Sequence, residues 1–274
     1  MSWVRVKTIL KQTYLSCMRH DQLNNAAALA FYFLLSLCPL MIFLVSLVAL
    51  FPISDLESQI IDSLAQIVPA DAMKILDRVL LSIFQTDPRL LSLGIVGAIF
   101  AGSSGFNATI SAVNSAYEVQ EVRPIWKKQL IALLLTILVG AMLLAAVSLS
   151  VLGSKIGLWL AMQLGLHSQV VRAWPCIRWL IVVIFSAVSL EVVYCVAPHL
   201  EQSVLAQIPG AAFAVVLWLV SSCVLGIYFS HFSQYASVYG TLGATIALLL
   251  WFYFSSLAVL VGAEVNAQMQ KTAR

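Results

Sequence analysis

The sequence predicts an all-α protein, a single integral membrane bundle of six transmembrane helices spanning residues 1–274. Three observations predict it. Of the 274 residues, 61% are hydrophobic and only 10% are charged. A soluble domain carries about 25% charged residues, so a water-facing shell cannot be built from this chain, and its mean hydropathy is +0.97. The few charges are also segregated: none falls within Gln22–Ser54, Leu90–Tyr117, Gln129–Ser154 or Gln202–Ala263. A spanning helix needs roughly 20 apolar residues. The first three stretches hold one span each and the last holds two. Trp174–Ala197, interrupted by Arg178 and Glu191, supplies the sixth.

Residues 1–22 begin the chain as an interfacial helix. Trp3, Val6, Leu10, Tyr14 and Cys17 share one face at helical spacing, edged by Lys7 and Lys11, which can snorkel to headgroups. Packing of that face on the bundle itself is the ordinary alternative. Span one covers about 26–51, with Pro39 in its second half and Asn24 and Asn25 placed to cap its start. This run is too long for a signal-peptide core, and no small-residue cleavage site follows it, so it is expected to stay in the mature chain. Residues 55–87 carry two apolar stripes separated by Pro69, with six acidic residues (Asp55, Glu57, Asp62, Asp71, Asp77, Asp87) in or beside them. They read as two amphipathic helices across one mouth of the bundle.

Span two, about 90–114, holds Gly94, Gly97, Gly102 and Gly105; small residues at such spacing let helix backbones approach closely in lipid. Span three covers about 129–153, and a wetter loop through Trp159 and His167 leads to span four, 174–197, opened by Pro175. Span five covers about 209–230 and span six about 239–263. With the N-terminus inside, nine lysines and arginines fall on the inner side against six outside. The positive-inside rule then puts both termini in the cytoplasm and residues 55–87 outside.

A family resemblance joins these readings. The run Ala26–Pro39, the stretch Asn114–Tyr117, Pro209-Gly210-Ala211 with Trp218, and above all Tyr239-Gly-Thr-Leu-Gly243 with Trp251 and Gly262-Ala-Glu-Val-Asn266 resemble the YihY/BrkB family, from about Tyr14 to Gln268. The resemblance implies a six-helix protein of the bacterial inner membrane, for which the labels virulence factor, ribonuclease BN and transporter have all been used. Family members often place a basic residue after the tyrosine near the end of span four. Here Tyr194 is followed by Cys195, so no role passes from that basic position to this chain.

The candidate site residues are few. Glu191 lies about 8 Å from the centre of span four by helix rise, where a charged side chain costs about 2.5–3.5 kcal/mol on insertion scales. It is a candidate substrate or proton site, or a carboxyl hydrogen-bonded to a neighbouring helix. Glu264 and Asn266 sit where span six leaves the membrane, as a site or as solvated interface groups. Asn114 shares a helix face with Asn107, as a ligand contact or, the favoured reading, an interhelical hydrogen bond. Arg123 in the inner loop could pair with Glu264 or meet a lipid phosphate. Tyr194 completes the set.

Two functions are compatible with this pattern. One is a transporter or exporter of an amphipathic or anionic substrate, such as a lipid, through a cleft near Glu191 and Glu264. The other is a non-transporting scaffold of the envelope that presents residues 55–87. Expected partners are membrane lipids and a small-molecule or lipid substrate. The net charge of +3 is small and spread out, which points to no nucleic-acid partner. The five cysteines are scattered without a C-x-x-C pair, and the four histidines (His20, His167, His199, His231) have no metal-ligand spacing. No metal, cofactor or nuclease chemistry is expected.

Overall fold

The computed structural model describes residues 3–49, 89–164, 167–200, 202–231 and 241–273. The amphipathic segment expected at 55–87 lies outside them. Seven helices make up the described chain: α1 (Trp3–Arg19), α2 (Gln22–Ala49), α3 (Arg89–Ala116), α4 (Ile125–Leu164), α5 (His167–Val196), α6 (Ile208–His231) and α7 (Thr241–Ala273), with one turn of 3₁₀ helix at Val204–Ala206. No strand occurs among the described residues.

Five helices contain a stretch long and apolar enough to cross a bilayer: Val96–Ala116, Ile125–Leu143, Trp179–Val196, Ile208–Phe229 and Thr245–Thr272. The described apolar stretch of α2, Gln22–Leu37, is shorter, so five of the six expected spans meet the criterion among the described residues. The outward surface fits lipid. Val216, Val220, Val224 and Ile227 are all more than half exposed and recur at helical spacing on α6. Such a stripe is stable against acyl chains and unfavourable in water.

Helix bounds differ from expectation where sequence polarity misleads. The stretch read as a wet loop through Trp159 and His167 is helical: α4 runs on to Leu164, and α5 begins at His167, well before Pro175. Helix α2 continues through Pro39, whose ring is seated against Gly97 of α3, where an added Cβ would lie 3.0 Å from Pro39 Cβ. Helix α7 does not stop at residue 263; it continues ten residues further, to Ala273.

The neighbours follow chain order around a closed ring. Helix α2 packs on α3, α3 on α4, α4 on α5, α5 on α6, α6 on α7, and α7 returns to α2. Helix α1 lies outside this ring against α7. Its buried positions are Ile9, Thr13, Ser16 and Cys17, whereas Leu10, Tyr14 and Met18 are about half exposed. The predicted stripe is therefore divided: Cys17 faces the bundle, and Leu10 and Tyr14 face out.

Candidate functional site: a polar end and a central hollow

The polar end of the bundle gathers the α1–α2 turn, the α3–α4 loop, the α5–α6 loop and the last turns of α7. Glu264 and Asn266, two residues apart, point into different parts of it. Both are fully buried. Asn266 bridges to α6: its Oδ1 accepts from Gly210 N at 2.7 Å, and its Nδ2 donates to Gln207 O at 3.0 Å. Gly210 lies in the first turn of α6, where N–H donors lack partners within the helix, and Gln207 immediately precedes that helix. Asn266 thus caps α6 from a neighbouring helix.

Close approach makes this possible. A Cβ on Gly210 would lie 2.3 Å from both Asn266 Cγ and Gly262 O, and one on Gly262 would lie 2.4 Å from Tyr194 Oη and 2.7 Å from Gly210 O. The two helices therefore meet backbone to backbone, as small residues permit in membranes. Tyr194, also fully buried, pins α5 to the same place by donating to Val259 O at 2.6 Å. Tyr117 donates to Gln207 Oε1 at 2.6 Å, and Gln207 donates on to Gln202. Burial holds the Tyr117 hydroxyl well above the usual tyrosine range.

Glu264 faces the α1–α2 turn. Its Oε1 accepts from Gln22 Nε2 at 2.9 Å and lies 2.7 Å from His20 Nδ1, while its Oε2 is buried without a partner among the described residues. Asp21 between them has a φ of 55°, a left-handed turn that aims His20 and Gln22 at one carboxylate. Gln22 also donates to Ala112 O of α3 at 3.3 Å. At the rim, Glu118 Oε1 lies 2.8 Å from Lys271 Nζ, 3.6 Å from His20 Nε2 and 3.8 Å from Arg19 Nη1. The hydrogen bond from Lys271 holds the Glu118 carboxyl below its ordinary value.

Asn114 and Arg123 form a second knot, across the α3–α4 loop. Asn114 Nδ2 donates to Glu121 Oε2 at 2.8 Å, and its Oδ1 accepts from His199 N at 2.9 Å. Arg123 donates to Pro198 O at 2.7 Å and to His199 Nδ1 at 2.9 Å, and lies 3.6 Å from Glu121. Arg123 therefore pairs with Glu121, and the groups on Glu264 are His20 and Gln22. Asn107 donates to Gln129 of α4, an interhelical bond of the expected kind. Glu191 is half-buried on α5, with its Oε1 shielded and unpartnered among the described residues.

Further along the ring axis the helices part around a central cavity of about 650 Å³. Every ring helix contributes to its wall: Phe33 of α2, Phe106 of α3, Gly140 of α4, Ser189 of α5, Trp218 of α6 and Trp251 of α7 are examples. Its hydroxyls are largely spent locally. Ser36, Thr109, Thr136, Ser186 and Ser189 donate to carbonyls of their own helices, and Ser255 accepts from Trp218 Nε1. Ser256 Oγ, buried in the wall, has no partner among the described residues. Neither Glu191 nor Glu264 is among the lining residues. No group of three His, Cys, Asp or Glu that could hold a metal ion occurs among the described residues.

A closed ring of apolar helices around a hollow, with one polar end, defines a multi-pass helical membrane protein. The family described as virulence factor BrkB matches residues 14–274, and the chain belongs to it. It is 32% identical over 265 residues to YfkH of Bacillus subtilis (strain 168), named as ribonuclease-like, covering 96% of each chain. It is 30% identical over 272 residues to a UPF0761 membrane protein of Photobacterium profundum, covering 96% of this chain and 82% of the relative. A UPF0761 membrane protein of Stenotrophomonas maltophilia is 27% identical over 89% of this chain, which spans 56% of that relative. No solved structure matches.

Sequence reasoning missed His20, Gln22, Gln207 and Lys271 as members of the polar end. His20 meets its partner 244 positions away, and no local spacing encodes such a pair. The one local signal is the His20-Asp21-Gln22 turn between two helices.

Proposed function

We propose that the protein is a transporter that moves an amphipathic, acyl-chain-bearing substrate of the lipid class through the central hollow. The observation that carries this reading is a cavity of about 650 Å³ walled by all six ring helices, within the roughly 300–1,000 Å³ typical of ligand sites. Five of its hydroxyls are turned back on their own helices, so an ion or sugar would enter at the cost of unmade hydrogen bonds. An acyl chain loses none. Ser256 Oγ offers one polar contact for an ester or headgroup at the cavity wall. A scaffold would need a partner surface and no hollow.

In this reading the polar end faces the cytoplasm, as the distribution of lysine and arginine favours, and the membrane is the bacterial inner membrane. No catalysis is assigned. A nuclease needs an acid–base pair that substrate can reach, and the His20–Glu264 pair is closed in, with side-chain exposures of 9% and 0%.

The test is transbilayer movement of a fluorescent phospholipid in liposomes containing the purified protein, followed by bleaching of the outer leaflet. The wild type should accelerate movement over protein-free vesicles, and Gly140→Trp, which fills the hollow, should abolish the acceleration while remaining folded. Movement no faster than in empty vesicles would overturn the reading.

A further inference from the structure

The buried Glu264–His20 pair lies outside the cavity wall. Glu264 has no exposed surface, one carboxylate oxygen has no partner among the described residues, and Gln22 supplies only a neutral donor to the other. A bare carboxylate in such surroundings is costly. His20 Nδ1, at 2.7 Å, is placed to hand it a proton. The second imidazole nitrogen looks the other way, 3.6 Å from Glu118 Oε1, just beyond hydrogen-bond length. Glu118 reaches solvent, its side chain 44% exposed, and is tied to Lys271 at 2.8 Å.

We propose that Glu264 and His20 form a proton-binding site that fills from the polar face of the bundle through Glu118. An incoming proton bonds to His20 Nε2; the Nδ1–H bond breaks and its proton forms an Oε1–H bond on Glu264. The pair gains one proton and passes from a net charge of −1 to neutral, leaving a carboxylic acid beside the other imidazole tautomer. The surrounding groups fit this exchange. Arg19 and Lys271 are held by Glu118 at the rim. Cys17, raised to about 12 by burial and by the nearby Glu264 charge, and Tyr117, raised by burial, stay neutral and do not compete for the proton. The Asp21 turn keeps His20 and Gln22 on one carboxylate oxygen, so proton occupancy bears directly on how α1 and α2 are joined to α7. The site stands apart from the cavity and does not depend on the transport reading.

Infrared difference spectroscopy of the protein in lipid nanodiscs, titrated from about pH 4 to about pH 9 across the carboxylate and histidine range, tests it. The wild type should show the carbonyl band of one protonated buried carboxylic acid that appears as pH falls. Glu264→Gln should lose the band and Glu191→Gln should keep it. Glu118→Gln, a change at an exposed position, should keep the band and slow its shift in heavy water at least tenfold, and His20→Gln should slow it further. If Glu264→Gln does not fold, the Glu191 and Glu118 variants carry the test. A wild type with no titrating carboxylic band overturns the proposal, as does a band lost in Glu191→Gln or deuterium exchange unchanged in both relay variants.

Discussion

The polar end and the central hollow are built by the same helices on opposite principles. At the polar end, Gly210 and Gly262 let α6 and α7 touch, Asn266 caps one from the other, and Tyr194 pins a third helix there. In the hollow the same helices spread, a Cβ on Gly140 would meet nothing within 4 Å among the described residues, and most hydroxyls turn back to their own backbones. One region is closed by hydrogen bonds that admit no extra atom. The other is open and apolar. A membrane bundle gains little from burying apolar side chains, because lipid is as apolar as they are. Its rigidity therefore has to come from close backbone contact and satisfied polar groups, and these concentrate at the polar end.

The sharpest way to break this contrast is to place one methyl group in each region. Gly210→Ala sets a carbon against the Gly262 carbonyl and Asn266, neither of which can move freely. It should destabilise the fold by at least about 3 kcal/mol, read as a fall in the thermal midpoint in detergent or as loss of folded protein. Asn266→Ala removes two buried hydrogen bonds and should cost about 2 kcal/mol in the same assay, with faster amide exchange in the first turn of α6. Gly102→Ala meets the Thr136 side chain alone, methyl first; turning that methyl away also moves the hydroxyl bonded to Ala132 O, so the change should cost about 1–2 kcal/mol.

Glu118 gives a smaller, pH-dependent effect. Its folded pKa is depressed by Lys271, so its contribution is fully present above the ordinary glutamate value of 4.5 and is lost as pH falls through the lowered folded value. A thermal midpoint that falls with acidification over that window, less steeply in Lys271→Ala, is the expected result. The smallest effect belongs to Gly140→Ala, where the added methyl enters open space. Its stability should stay within about 0.5 kcal/mol of wild type. A large loss there would mean that the hollow is closed in solution.

The chain's own polarity reveals the bundle because lipid imposes a length rule on every uncharged stretch. It misplaces boundaries wherever a helix carries polar residues beyond the apolar core. The α4–α5 connection reads as a wet loop, yet both helices extend toward it. Helix α7 reads as ending before Glu264, yet it continues, which turns an expected interface carboxylate into a fully buried one. The motif Gly262–Asn266 and the stretch Asn114–Tyr117 mark the right places. Their partners do not show themselves, since His20, Gln22 and Gln207 are joined to them only by the closing of the ring. The hollow is invisible to sequence reading altogether: its wall is ordinary apolar residues, and only the helix spacing makes it a space.

A density map of the protein in lipid nanodiscs tests the hollow most directly. Elongated density, continuous with the acyl region, is expected between Phe33, Phe106, Gly140 and Trp218. A ring whose six helices have collapsed onto one another, or a hollow filled by ordered water, would contradict it.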